Sequence, residues 1–268
     1  MKIFCALVIA LLALGPGLSP TEARTKTDAN TSNFNREGIE AGKAGNWDKA
    51  IEDFKRAAEA EPNRRDINEN LALAYRQRGL AEMKKKNWDG AVSDFTECLK
   101  RKEGDMLARR YRASAYLQKG DSQNALEDYN TLLKEKKDDV EALGGRAFVE
   151  VQLKDYDKAL ADYSSILKKD SRNVEAYLGR SHVYEVTEKP DLGLADIEAI
   201  LKIQPTNQDA LNRKKRLEVQ KTRGQPAVAV TPVLIGTPIP RAGGQPSPAD
   251  AKPSPLASPT ASPIASPR

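Results

Sequence analysis

Side chains that commonly perform catalysis or bind metals are scarce in this chain of 268 residues. It has one histidine, His182, and two cysteines, Cys5 and Cys98, which excludes a disulfide-rich scaffold and a zinc site of Cys and His ligands. No Ser/His/Asp, Cys/His or paired-carboxylate arrangement is recognisable, and Gly144-Gly145 is too short to cradle a phosphate. We therefore expect no enzymatic activity, no cofactor and no metal site. We expect His182 to lie on the surface or in a groove without chemistry, and Cys98 to be a buried, inert thiol.

Two series of charged residues recur at intervals of 34 residues. The basic series is Arg78, Arg112, Arg146 and Arg180, and the acidic series is Asp94, Asp128, Asp162 and Asp196. The arginines alone would suit a polyanion such as a nucleic acid. Because the aspartates keep the same period, ion pairing within or between neighbouring repeats is the favoured interpretation. No basic segment is interleaved with aromatic residues either, so we do not expect nucleic-acid binding.

Pairs of amphipathic helices must position these residues. In the fourth repeat, apolar residues at helical spacing predict a first helix from Val140, a turn at residues 154–157 and a second helix from Ala159. One such pair cannot bury both of its apolar faces, whereas a stack of at least about three pairs can. The sequence therefore predicts an all-α protein built as an α-solenoid.

The repeat resembles the tetratricopeptide repeat (TPR). The resemblance rests on the 34-residue spacing, on Gly or Ala at the eighth position, on Ala at the twentieth and on an aromatic residue at the twenty-fourth. The segment Asn46-Trp47-Asp48-Lys49-Ala50 is similar to the family's turn between helices. The resemblance implies about five TPR units and a C-terminal capping helix. The units are residues 31–64, 65–105, 106–139, 140–173 and 174–207, and the capping helix is 206–220.

The second repeat is seven residues longer than the others. Seven residues add about two helical turns and rotate the apolar face by only ~20°. We therefore predict one lengthened first helix from about Asp66 to Lys86, with Asp66 and Glu69 spaced as a capping box. The basic end of this helix either contacts a partner or belongs to a tolerated insertion.

The two ends of the chain differ from the repeats in composition. Lys2 and the apolar residues 3–14 are typical of a secretory signal peptide, residues 1–23, which we expect to be cleaved after Ala23. Its apolar core of 12 residues is too short to span a bilayer, and the alternative is an uncleaved N-terminal anchor. Residues 24–30 are then a linker. Residues 221–268 hold eleven of the sixteen prolines and no aromatic residue, which indicates a disordered tail.

The candidate binding residues face the inside of the predicted solenoid, where the first helices line a concave groove. By their position in the repeat they are Asn35, Ile39, Arg76, Leu80, Arg110, Ser114, Gly144, Phe148, Leu178 and His182. An exposed Phe148 would supply an apolar anchor, and Arg76 with Arg110 would hold a carboxylate.

The resemblance implies a scaffold that binds a protein or peptide without catalysis, and the signal peptide predicts that it is exported, periplasmic or secreted and most simply bacterial. The alternative is a structural component of the cell envelope that acts through its proline-rich tail. Members of the family that bind a peptide's C-terminal carboxylate use Lys and Asn in one repeat, Asn in the next, and Lys or Arg in a third. The matching positions here hold Asn35 with Ile39, Gln77, and Leu107 with Tyr111, so that function is not implied.

Overall fold

The computed structural model describes residues 20–223 of the chain and the side chains of residues 28–222. Over this range every regular element is an α-helix and no strand occurs. In chain order these helices are α1 Pro20–Lys43, α2 Trp47–Ala60, α3 Arg65–Lys84, α4 Trp88–Arg101, α5 Met106–Lys119, α6 Ser122–Glu135, α7 Val140–Gln152, α8 Tyr156–Lys169, α9 Val174–Val186, α10 Pro190–Ile203 and α11 Gln208–Arg223. The predicted fold class, an all-α array of helix pairs with a final capping helix, is confirmed.

The described residues form two compact units. The first comprises residues 20–78 and Glu97–Glu103, and the second comprises Gly79–Thr96 and residues 104–223. The core of the first unit contains fully buried Phe54. Each unit therefore has its own apolar interior.

The core of the second unit passes from one repeat to the next. Tyr129 on α6, Val149 on α7 and Ile166 on α8 belong to one cluster of buried side chains. A further cluster joins Ile197 on α10 to Leu217 on α11. The capping helix thus covers the apolar face that the last repeat would otherwise expose to water.

A side-chain cap starts the first helix of each repeat in the second unit, and the helix that follows the last repeat. Asp or Asn stands at each start, and its side-chain oxygen accepts a hydrogen bond from the backbone N–H three residues later. The pairs are Asp105 with Ala108 (2.9 Å), Asp139 with Ala142 (3.0 Å), Asn173 with Ala176 (2.8 Å) and Asn207 with Ala210 (2.9 Å). Each cap satisfies an amide group that the helix itself leaves without a partner.

The turn inside each repeat contains one residue in the left-handed backbone region. These residues are Gly45 (φ 75°), Lys86 (59°), Gly120 (80°), Lys154 (62°) and Glu188 (58°). Glycine adopts this conformation without steric cost, whereas a side chain at the same position brings its Cβ too close to the following carbonyl oxygen. The same turn is therefore relaxed in two repeats and strained in three.

The lengthened first helix of the second repeat is confirmed. Helix α3 has 20 residues, against 14 in α5 and 13 in α7 and α9. The predicted capping box is wrong, because α3 begins at Arg65 and Asp66 already lies in its first turn. Asp66 accepts from Arg64 Nε at 2.9 Å, while Glu69 accepts from Arg65 Nε at 2.7 Å.

Two predicted boundaries are also corrected. Residues 24–30 are not a linker, because α1 runs without a break from Pro20 to Lys43. The capping helix starts at Gln208 and continues to Arg223, three residues beyond its predicted end. Most of the predicted signal peptide and the tail from residue 224 onward lie outside the described residues. None of the described helices combines the length and apolar character needed to cross a bilayer.

Candidate functional site

The recurring arginines and aspartates form ion pairs within repeats of the second unit. Arg112 donates from Nε and Nη2 to both carboxylate oxygens of Asp128, at 2.8 and 2.7 Å. The same bidentate contact recurs between Arg146 and Asp162 (2.7 and 2.8 Å) and between Arg180 and Asp196 (2.9 and 2.7 Å). The predicted structural pairing is confirmed for these three pairs.

The third nitrogen of each guanidinium group bonds to the preceding repeat. Nη1 donates to a side-chain oxygen on the second helix of that repeat: Thr96 for Arg112 (3.2 Å), Asn130 for Arg146 (3.0 Å) and Ser164 for Arg180 (3.1 Å). Each arginine therefore connects three helices and is not available as a polyanion ligand. In the first unit, Arg78 Nη1 donates to Asp48 at 2.8 Å.

Arg110, a predicted binding residue, already forms ion pairs with carboxylates of its own chain. Its Nη2 lies 2.7 Å from Asp139 Oδ2 and its Nη1 lies 2.7 Å from Glu141 Oε2, and its side chain is only 15% exposed. Two carboxylates of the same chain thus occupy the positions where a partner's carboxylate was expected to bind. The prediction that Arg110 holds a partner's carboxylate is wrong, because the acids at the start of α7 neutralise it.

Three other predicted binding residues are buried. Asn35 has no exposed surface, donates to Asp66 Oδ2 at 3.3 Å and accepts from Asn70 at 3.1 Å. Ile39 is 7% and Ser114 1% exposed. The structure corrects their assignment as contact residues, because a partner cannot reach side chains that are buried in the free protein.

The remaining predicted residues keep part of their surface accessible. Arg76, Leu80, Gly144, Phe148, Leu178 and His182 are all half-buried. Phe148 is therefore only partly exposed, and Leu178 packs partly against the cluster of Ile197. Cys98 is buried, as predicted.

The accessible residues of the first helices in the second unit share one surface. Helical spacing places Leu107 and Arg110 on one side of α5, and Leu178, His182 and Val186 on one side of α9. The 34-residue period places Phe148 of α7 at the position of His182. Helix α7 contacts both α5 and α9. We call the surface made by these six residues the first-helix face.

A buried acid that the sequence did not reveal fastens the capping helix to the last repeat. Glu185 on α9 accepts from Nε of Arg216 at 2.7 Å and lies 3.3 Å from Nη1 of Arg213, while Gln220 donates to its backbone carbonyl at 3.0 Å. Burial alone would raise the pKa of Glu185. The hydrogen bond from Arg216, the charges of both arginines and the nearby His182, whose Nδ1 lies 3.9 Å from the carboxylate, outweigh burial and lower the pKa to about 2. His182 is thus a neighbour of a structural ion cluster.

The sequence model of the tetratricopeptide repeat matches residues 35–82, 77–140 and 145–208, more than half of the chain. This chain belongs to the tetratricopeptide repeat family. Proteins of this family are in general scaffolds for other proteins and not enzymes.

Solved structures share the fold of this TPR protein. A TPR protein from Parabacteroides merdae is 23% identical, with 72% of this chain and 74% of that chain covered and a TM-score of 0.56. YrrB, a TPR protein with an unusual peptide-binding site, is 17% identical, with coverages of 73% and 97% and a TM-score of 0.58. MamA is 17% identical, with coverages of 76% and 98% and a TM-score of 0.51. At these identities the likeness concerns the fold alone. No curated protein matches the sequence.

Proposed function

We propose that this TPR protein is a non-enzymatic scaffold that binds a protein or peptide partner on the first-helix face. One observation carries the proposal: apolar side chains are accessible on successive first helices. Leu107 on α5 is 46% exposed, Val186 on α9 is 42% exposed, and Phe148 on the intervening α7 is half-buried. Water contact with such a row is unfavourable, and a partner that covers it removes that cost.

The charges around these apolar residues support an interface. Arg110 is held by Asp139 and Glu141, and the Glu141 side chain remains 59% exposed. An apolar centre with a charged, solvated rim is the usual composition of a specific protein interface. The fold shared with YrrB is consistent with peptide binding, although it does not identify a partner for this chain.

The test compares matched substitutions on the two kinds of helix. Leu107→Asp and Val186→Asp place a charge on the first-helix face, whereas Leu192→Asp changes a 50% exposed leucine on the second helix α10. Crosslinking in the native host followed by mass spectrometry identifies the partner, and its affinity is then measured for each purified variant. We expect each face variant to weaken binding about tenfold or more, because a charge would be desolvated in the interface. Leu192→Asp should bind normally; equal binding by all three variants would refute the proposed face.

A deletion separates this function from one performed by the tail. Removal of residues 224–268 leaves α11 intact, since that helix ends at Arg223. The scaffold proposal predicts that the truncated protein retains its partner. Loss of the partner on truncation, with no effect of the face substitutions, would favour an envelope component that acts through its proline-rich tail.

We also propose that the protein is exported by its N-terminal signal. Support comes from Lys2 and the apolar residues 3–14, followed by Ala23 at the expected cleavage point. Because α1 begins at Pro20, cleavage there would remove only the first turn of that helix and leave the repeats whole. Mass spectrometry of the native protein should find Arg24 as the first residue. A mature chain that begins at Met1 would contradict cleavage.

A further inference from the structure

A cavity of about 340 Å³ lies between three helices of the second unit. Leu126 and Asn130 of α6 form one wall, and Arg146 and Glu150 of α7 form another. Phe148 lies two residues from both Arg146 and Glu150, a rotation of about 200° around the helix. The cavity therefore opens on the side of α7 opposite the first-helix face.

The residue type at position 150 explains why space is available here. One period earlier and one period later the same position holds Tyr116 and Tyr184. The Tyr116 ring packs against the core and lies 5.9 Å from the guanidinium carbon of Arg112. In the fourth repeat the shorter Glu150 stands beside Arg146 instead, and the volume of an aromatic ring is left unfilled.

Glu150 is buried without a complete set of partners. It is 4% exposed, its Oε2 accepts no hydrogen bond, and its Oε1 lies 3.7 Å from Nε of Arg146. That nitrogen already donates to Asp162 at 2.7 Å. By contrast, Glu185 on the next first helix is matched by two arginines. An unmatched buried carboxylate is costly, so this site is incomplete by itself.

We propose that this cavity binds a primary ammonium group on an aliphatic stem, namely a lysine side chain supplied by a partner protein. The ammonium group pairs with the Glu150 carboxylate, and the side-chain oxygen of Asn130 offers a second acceptor. Leu126 and Ala161 on the walls contact the methylene groups of the stem.

The charges of the site favour a cation over an anion. The guanidinium group of Arg146 is saturated by Asp162 and Asn130, and Lys158 at the rim pairs with Asp155. An anion would find no unpaired positive group and would meet the Glu150 carboxylate. A cation can pair with Glu150, the acid on the cavity wall whose Oε2 atom accepts no hydrogen bond.

The first experiment uses the full chain and two probes, n-butylammonium and Nα-acetyl-lysine methylamide. Binding is followed at pH 8 by the NMR signals of the Leu126 methyl groups. We expect saturable shifts with a dissociation constant on the order of 1–10 mM, a range that ligands of this size reach. Neutral n-butanol, which has the same stem without the charge, should cause no comparable shift.

Variants then assign the effect to Glu150. Glu150→Gln should abolish binding, and Glu150→Tyr, which restores the aromatic residue of the neighbouring repeats, should abolish it by filling the cavity. Glu141→Gln, on the other side of the same helix, is the matched control and should bind normally. Melting curves of each variant confirm that the fold is retained.

The pH adds an independent readout. The charged groups that face Glu150 are Arg146 on its own helix and Asp155, Lys158 and Asp162 from α8 and its N-cap, while the α6 wall is uncharged. Burial and the nearby Asp162 raise the pKa of Glu150 to about 7. Affinity for the cation should therefore fall about tenfold between pH 8 and pH 6, as the carboxylate takes up a proton.

Four results would overturn the proposal. These are equal shifts with n-butanol, unchanged binding by Glu150→Gln, binding of n-butylammonium without binding of the lysine derivative, and binding that appears only in Lys158→Met. The last result would mean that the protein's own lysine fills the cavity.

Discussion

The ring of Tyr129 occupies the space where a side chain on Gly145 would lie. A Cβ atom added to Gly145 would be 2.3 Å from Cζ of the tyrosine and 2.6 Å from its hydroxyl oxygen. Tyr129 is only 1% exposed, and burial raises the pKa of its hydroxyl group, which therefore stays neutral. The contact joins α6 of the third repeat to α7 of the fourth. Because Gly145 has no Cβ atom, the tyrosine ring can pack directly against α7 and link the two repeats.

Gly145→Ala should therefore destabilise the protein, by about 1–3 kcal/mol, because the added methyl group displaces a ring that is packed on all sides. Gly144→Ala is the control: its Cβ would meet only Ile166 Cδ1, at an ordinary contact distance of 3.7 Å. We expect Gly144→Ala to raise the free energy of unfolding by up to about 1 kcal/mol, because alanine has a higher helix propensity than glycine. Urea denaturation of both variants measures the difference. Equal stabilities would show that the tyrosine ring moves aside at no cost.

Removal of Arg180 should destabilise the protein more than removal of Arg112. Asp128 keeps a second cation after Arg112→Met, because Nη1 of Arg109 lies 3.5 Å away, whereas Arg180 is the cation in bidentate contact with Asp196. A carboxylate left buried without its partner costs about 3 kcal/mol or more. Thermal or urea unfolding of the two variants provides the comparison.

The double variant Arg180→Met with Asp196→Leu is the control for that measurement. It removes both charges, so it should recover part of the stability lost by Arg180→Met alone. If the double variant is less stable than the single one, the loss comes from packing and not from an unpaired charge.

Two buried glutamates should give the free energy of unfolding opposite pH dependences. The pKa of Glu150 is raised from 4.5 to about 7, so the folded state binds its proton more tightly than the unfolded state. Its contribution is lost as the pH rises from about 4.5 through 7. Glu185, whose pKa is lowered from 4.5 to about 2, stabilises the fold above pH 4.5 and loses that contribution as the pH falls towards 2.

A substitution at each glutamate tests its contribution to the pH dependence of stability. Glu150→Gln should remove the loss of stability between pH 4.5 and 7, on the order of 3 kcal/mol. Glu185→Gln should weaken the protein at neutral pH and make it less sensitive to acid. Urea unfolding at a series of pH values tests both. An unchanged slope near neutral pH in Glu150→Gln would show that another group titrates there.

Glycine at a strained turn position should stabilise the protein. Lys154 has a φ of 62°, whereas Gly120 occupies the same turn position one repeat earlier with a φ of 80°. We expect Lys154→Gly to stabilise the protein by about 1 kcal/mol and Gly120→Ala to destabilise it by a similar amount. Gly104→Ala is the matched control, because Gly104 lies in open space and outside the left-handed region, so alanine there should be neutral or stabilising. Melting temperatures rank the three variants, and a loss of stability in Lys154→Gly would contradict strain at that turn.

Much of the helical architecture could be predicted because its signals are local. The 34-residue period, the apolar spacing and the extra seven residues of the second repeat led to the right helices and to the long α3. The common period of Arg146 and Asp162 also predicted their ion pair. The start of α3 was misjudged, because Asp66 has the residue type of a cap but bonds to Arg64 and Asn35 from inside the helix.

The candidate site was predicted less well, since a repeat position shows which way a side chain points and not what covers it. Asn35 and Ser114 are buried, and Arg110 is neutralised by Asp139 and Glu141. For Glu150 a signal did exist in the sequence, because an acid interrupts the period of Tyr116 and Tyr184.

The helix pairs, their order and the family follow from the amino-acid sequence, because helix periodicity, capping residues and turn lengths act over a few residues at a time. Which first-helix residues remain accessible, which charges are already paired and where a cavity is left depend on how the helices pack. Exposure and electrostatic pairing depend on atoms that lie about 16 to 35 residues apart in the chain, as between Arg146 and Asp162 or Asn35 and Asn70. Packing brings those atoms together, and no local pattern records the distance between them.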